Sequence, residues 1–187
     1  MKYLLLIATF FTTFAMAQTK TVTTSNIQWW GYKVAKTDAS SHTGTLGLKS
    51  GNFVMKGKTL VGGTFVFNMN SLTSTDLTGD RMEKLNSHLK TGDFFETEKF
   101  PTATYVITSV KKNSNANFPF LVNGNLTLKG ITKKVSFPAK ITLGKLLILE
   151  SDKFSFNRQD FNVQYQSSMK DVVIKNDIDL KINVTAK

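Results

Sequence analysis

Toward the end of the chain Ile178, Leu180, Ile182, Val184 and Ala186 alternate with Asp179, Lys181, Asn183 and Thr185. A period of two places successive side chains on opposite faces of an extended backbone, so this stretch is an antiparallel strand with one face turned inward. Alternation or β-branched enrichment recurs over 27–34, 44–49, 53–56, 63–69, 102–110, 120–129, 134–143, 146–150, 153–157 and 172–175. Ser50-Gly51-Asn52, Lys56-Gly57-Lys58, the stretch 112–117 and Lys129-Gly130 read as turns between them. Many short strands without an internal repeat or linker predict one all-β domain, either a sandwich or a barrel.

One stretch breaks the period. Met82, Leu85 and Leu89 recur at helical spacing, with Arg81, Glu83, Lys84 and Lys90 on other faces, which predicts a helix of three turns. Thr78 and Asp80 suit its start and Lys90 and Gly92 its end. Phe94, Phe95 and Phe100 then crowd a charged segment before Pro101 stops a new helix, so that turn must be pinned to something apolar.

The first seventeen residues carry one basic residue, Lys2, then an apolar run and Ala15-Met16-Ala17, the small-x-small pattern that precedes signal peptidase cleavage. Residues 1–17 are therefore expected to be a signal peptide, with cleavage between Ala17 and Gln18, and 18–187 the mature domain. The protein is expected in the periplasm or outside the cell. No transmembrane segment is expected, and zero cysteines exclude a disulfide framework. A domain of about 170 residues buries about two-thirds of its unfolded surface without such staples. The formal charge of +11 is spread with no basic run longer than Lys111-Lys112 or Lys133-Lys134, which favours a solvated surface over nucleic acid.

The chain holds fifteen Phe residues, and Phe65 with Phe67 and Phe154 with Phe156 each share a strand face. In a sandwich such rings are core; in a closed barrel they line an interior able to hold one lipid-like ligand.

Several segments in order and spacing, Trp29–Val34 (W-W-G-Y-K-V), His42–Gly44 (H-T-G), 62–72 (G-G-T-F-V-F-N-M-N-S-L), 84–105 (K-L-N-S-H-L-K-T-G-D-F-F-E-T-E-K-F-P-T-A-T-Y), 124–135 (G-N-L-T-L-K-G-I-T-K-K-V) and Arg158–Phe161 (R-Q-D-F), resemble the YceI-like family, secreted lipocalin-like barrels that bind polyisoprenoid lipids. The resemblance spans essentially the whole of 18–187. It departs at Asn68, where related sequences commonly carry Asp, and at Asn162, where they carry Gly. It implies an eight-stranded antiparallel barrel with the helix near one mouth and an isoprenoid chain inside. The function so implied is sequestration or transport of a polyisoprenoid, an isoprenoid quinone or its precursor. The ligand-contacting set is then expected to be Trp30, Tyr32, His42, Phe65, Phe67, Met69, Leu85, Leu89, Phe94, Phe95, Tyr105, Ile107, Leu126, Leu128, Phe137, Phe154, Phe156 and Arg158. Whether a homodimer forms is left open by the sequence.

The polar residues supply little chemistry. His42 and His88 are the only histidines and their spacing matches no ligand motif, so a hydrogen-bonding role is expected and no metal. Asp80 and Glu96 read as helix cap and surface charge rather than an acid/base pair. Arg158 suits a pyrophosphate or quinone oxygen, or a partner in Asp160 or Asp171. No nucleophile triad, P-loop or nucleotide fingerprint occurs, so no catalytic residue and no cofactor is expected. An exported enzyme acting on an amphiphile in the same cavity, and a surface carbohydrate or adhesion module, stand as alternatives.

Overall fold

The computed structural model of the protein describes residues 17–35 and 39–187. Except for Ala17, the expected signal peptide lies outside them. Ten strand segments follow one another: β1 (Ala17–Ala35), β2 (Ala39–Lys56), β3 (Thr59–Ser74), β4 (Thr102–Lys112), β5 (Phe120–Leu128), β6 (Ile131–Leu143), β7 (Leu147–Ser151), β8 (Phe154–Asn157), β9 (Val172–Ile174) and β10 (Asp177–Ala186). Each of β1 to β6 pairs antiparallel with the next, and β6 with β7. β7 and β8 lie in line along β10, which pairs back onto β1 through Ile182 and Ile27. β9 continues that strand position by pairing with the end of β1. The ten segments thus fill eight positions of a closed antiparallel barrel, the architecture expected, in which no full-length edge is left unpaired.

Bulges reset which residues face inward on several strands, β2 and β3 among them. In β2 the inward side chains change from Leu46 and Leu48 to Phe53 and Met55, with the register slipping between Leu48 and Ser50. Ser50-Gly51-Asn52 therefore does not turn the chain; all three stay paired with β3, and the two short strands expected at 44–49 and 53–56 are one. Polar residues in a bulge satisfy the ladder while shifting its parity, and local composition does not separate that from a turn. In β3 the Ser71 hydroxyl donates to the Asn68 carbonyl at 2.6 Å and the Asn70 N–H to the Asn68 side chain at 3.2 Å. Met69 and Leu72 are both buried there despite being three residues apart.

The two barrel ends differ. At the end of the β2–β3, β4–β5 and β6–β7 connections, Phe53, Val122, Ala139, Leu147 and Ala186 are fully buried and form a packed floor. At the other end helix α1 (Gly79–Lys90) crosses between β3 and β4. Its Asn86 is the anchor: the side-chain oxygen accepts from the Ser74 N–H at 2.7 Å and the amide donates to Thr73 Oγ1 at 3.0 Å. Thr78 is the N-cap residue but makes no side-chain cap bond, and the chain leaves the helix through an extended Thr91 rather than at Gly92. The last carbonyls are taken up by the aromatic turn instead, with Phe95 N–H on Leu89 O at 3.1 Å and Thr97 N–H on Lys90 O at 3.0 Å. The turn is thereby locked to the helix, and Pro101 O, accepting from Met69 N–H at 3.0 Å, ties its far end to β3.

Candidate functional site: an apolar cavity under the helix

Below α1 the barrel is hollow. A cavity of about 330 Å³ opens at the helix end, and its walls are almost wholly hydrocarbon and aromatic. Close approach of backbone to ring seats the aromatic side chains of the interior. Gly44 lies against the indole of Trp29, and a Cβ there would strike both that ring and the Thr73 carbonyl; Gly124 makes room for the Tyr105 ring in the same way. Trp29 Nε1 donates to Thr45 O and Tyr105 Oη to Val135 O, so both polar tips are satisfied without facing the cavity centre. Burial pushes the Tyr105 hydroxyl's pKa well up, so it remains a neutral donor.

Of the residues expected around a ligand, Tyr32, His42, Phe67, Met69, Leu85, Leu89, Phe94, Phe95, Leu126, Leu128, Phe156 and Arg158 border this cavity. Phe65, Phe67, Tyr105, Ile107 and Phe137 border a smaller space of about 20 Å³ beneath it. Two of the expected residues border neither space. Trp30 is on the outer surface, where the Lys153 ammonium sits 4.3 Å from its ring centre; strand parity turns Trp29 inward and its neighbour out. Phe154 borders neither space and stacks on Phe137 at 4.6 Å as packing.

Arg158, for which the sequence left a headgroup oxygen or an acidic partner open, borders the cavity with its guanidinium held by the fold. It is fully buried, Nε donates to Lys175 O at 3.0 Å, and its two amino groups donate to Val163 O, Tyr165 O, Ile174 O and the Asn176 side chain. These five acceptors are neutral, and burial holds its pKa below the ordinary arginine value. A fork of fixed N–H groups suits such a set of carbonyls, and here it fastens the loop after the 3-10 turn Arg158–Phe161 to the end of β9 and the β9–β10 connection.

Sequence reasoning missed Trp29, Leu46, Leu72, Tyr165, Met169 and Ile174, all of which border the cavity. Trp29 was legible from the parity of Ile27. Tyr165 and Met169 sit in no regular element and carried no periodic signal. Tyr165 matters most, because its ring lies 4.9 Å from Phe94 and 4.8 Å from His88, joining the loop to the helix and its turn across the opening.

The polar groups near the rim pair with one another. His42 Nδ1 meets Asp76 Oδ2 at 2.8 Å and His88 Nε2 meets Asp93 Oδ2 at 2.9 Å, so the two histidines are far more occupied with hydrogen bonding than grouped as ligands. No cluster of metal-ligating side chains is present among the described residues. Glu96 pairs with Lys99 at 3.7 Å. Outside the wall, Asp179 accepts from Tyr32 Oη and Ser155 Oγ, each at 2.5 Å, and lies 3.1 Å from Lys153 Nζ. Burial would raise the Asp179 pKa, but hydrogen bonds from Ser155, Tyr32 and Lys153 outweigh it and hold the carboxyl below its ordinary value. A carboxylate depressed on folding adds stability that is full above the ordinary carboxylate range and lost as pH falls through the folded value. Asp179→Asn is expected to lower the urea midpoint near neutral pH, with the deficit closing below about pH 4. A deficit that persists unchanged in acid would show that charge at this position contributes nothing.

Comparison with known proteins places this geometry. The YceI-like domain model matches residues 17–186. A curated protein YceI of Escherichia coli is 32% identical over 108 residues, which is 58% of this chain and 52% of that protein, so the chain spans about half the length of the curated relative it matches. Among solved structures, BcnA of Burkholderia cenocepacia superposes with a TM-score of 0.61 at 19% identity, over 87% of this chain and 96% of that one. A polyisoprenoid binding domain from Saccharophagus degradans gives 0.58 at 13% identity, over 90% and 97%. Those two likenesses are of fold, and with a family model covering nearly every described residue the chain belongs to the YceI-like domain family.

Proposed function

We propose that this protein is a carrier or buffer for a polyisoprenoid lipid, an isoprenoid quinone or its precursor, exported to the periplasm or beyond. The observation that carries the reading is the cavity of about 330 Å³, closed by a packed floor, open at the helix end and walled by apolar side chains. A flexible hydrocarbon tail gains about 25 cal/mol per Å² removed from water and needs only continuous dry surface, whereas its headgroup needs a few polar contacts at the rim. Met69 and Met169 supply contact that adapts to an irregular chain. The Saccharophagus domain of like fold, described as polyisoprenoid binding, supports the ligand class. Binding rather than catalysis suits a rim whose two histidines are each hydrogen-bonded to an aspartate. Cleavage after Ala17 would deliver a chain whose β1 begins at the new terminus.

Protein purified from the periplasmic fraction or medium of its own host should begin at Gln18 and release a polyisoprenoid on solvent extraction, read by mass spectrometry. Protein that carries no such lipid and takes up no added prenol would overturn the reading.

A further inference from the structure

The interior is divided rather than continuous. On β1, β2, β4 and β10 the wall passes from the upper cavity to the small space beneath by one inward step: Trp29 above Ile27, Leu46 above Leu48, Ala103 above Tyr105, Leu180 above Ile182. Among the described residues, Phe67 alone borders both. Its register neighbour on β4 is Ala103, so no large side chain of that strand stands beside the ring. The lower space, about 20 Å³, has room for about one water-sized group and is lined by apolar atoms, so it is the kind of void that stays dry and can be taken by hydrocarbon.

We propose that Phe67 is the length-determining residue of the cavity: its ring stops an apolar tail at the boundary, and a chain longer than the upper cavity must displace it. The ring is nearly fully buried and held on both sides in β3 by Phe65 and Met69, so turning it aside disturbs a packed neighbourhood and penalises the longer tail. This rests on the lipid-binding reading above and adds the selectivity that the ligand class alone does not give.

The test is displacement of a hydrophobic dye by geraniol, farnesol, geranylgeraniol and solanesol from the mature chain. Affinity in the wild type should rise with length and then stop rising, the break marking the ring. Phe67→Ala, and to a smaller degree the gentler Phe67→Leu, should move the break to a longer prenol and improve binding of that prenol about tenfold, the effect of about two further buried methylene groups. Leu149→Val, on β7 and bordering only the lower space, should leave the break where it is. A break at the same length in Phe67→Leu, or one moved equally by Leu149→Val, overturns the assignment while leaving the lipid-binding reading intact. Failure of every prenol to displace the dye from any variant overturns both.

Discussion

Arg158→Met should lower the stability of the YceI-like domain by about 3 kcal/mol, which for a chain of this size is a fall in Tm of roughly 6–12 °C. The side chain is fully buried and its guanidinium donates to five acceptors drawn from the loop after the 3-10 turn and from the β9 to β10 connection. A methionine fills much of the volume, so the loss is not chiefly a cavity. It is the desolvation cost of several buried carbonyls left without a donor, each worth about 1–3 kcal/mol before relaxation lets in water or neighbours. Arg158→Lys should recover only part of the deficit, because one ammonium cannot present the planar fork. Thermal melts and urea curves of the three proteins decide it. A methionine variant within about 0.5 kcal/mol of wild type would mean that the loop carbonyls find water without disturbing the fold.

Phe94→Ala should speed escape of a bound tail by about tenfold while lowering global stability by about 1.5 kcal/mol, half of what loss of a core ring costs. Phe94 is only partly buried, yet it meets Tyr165 at 4.9 Å and His88 at 5.1 Å, and all three rings border the cavity. Aromatic pairs contribute about 0.5–1.5 kcal/mol beyond area burial, so losing two of them at the rim amounts to about tenfold or more in the closed-to-open ratio. Phe95, buried and bonded to Leu89 O, is by contrast part of the fixed core, and Phe95→Ala should cost about 3 kcal/mol in stability. Stopped-flow release of farnesol into lipid vesicles gives the rate. Hydrogen exchange gives the mechanism: amides of Gly79–Lys90 and the turn after it should open more readily than those of Thr102–Lys112, and farnesol should protect them. Equal protection of helix and strand, with and without farnesol, would make the helix scaffold rather than a cover and move entry to another part of the barrel.

Which features were legible in the chain, and which were not, follows the range of the forces involved. The alternation of Ile178 to Ala186 and its counterparts determined strand content, since a half-buried pleated surface demands that pattern residue by residue. The spacing of Met82, Leu85 and Leu89 determined helix α1 for the same reason. Turns at Gly57-Lys58 and Lys129-Gly130 were readable because their backbone conformations select particular residues.

Tertiary structure decided the rest. Parity errors of a single residue sent Trp30 outward and Trp29 in, and bulges at Leu48–Ser50 and after Asn68 changed parity where composition looked like a turn or gave no sign at all. The fate of Arg158 was invisible because its acceptors are backbone carbonyls, which every residue possesses and no sequence pattern marks. The division of the interior at Phe67 exists only once strands far apart in the chain close into a ring, since the void is set by which side chains meet across it. Local sequence determined what each segment of this protein would be; closure of the barrel decided where the space inside it lies.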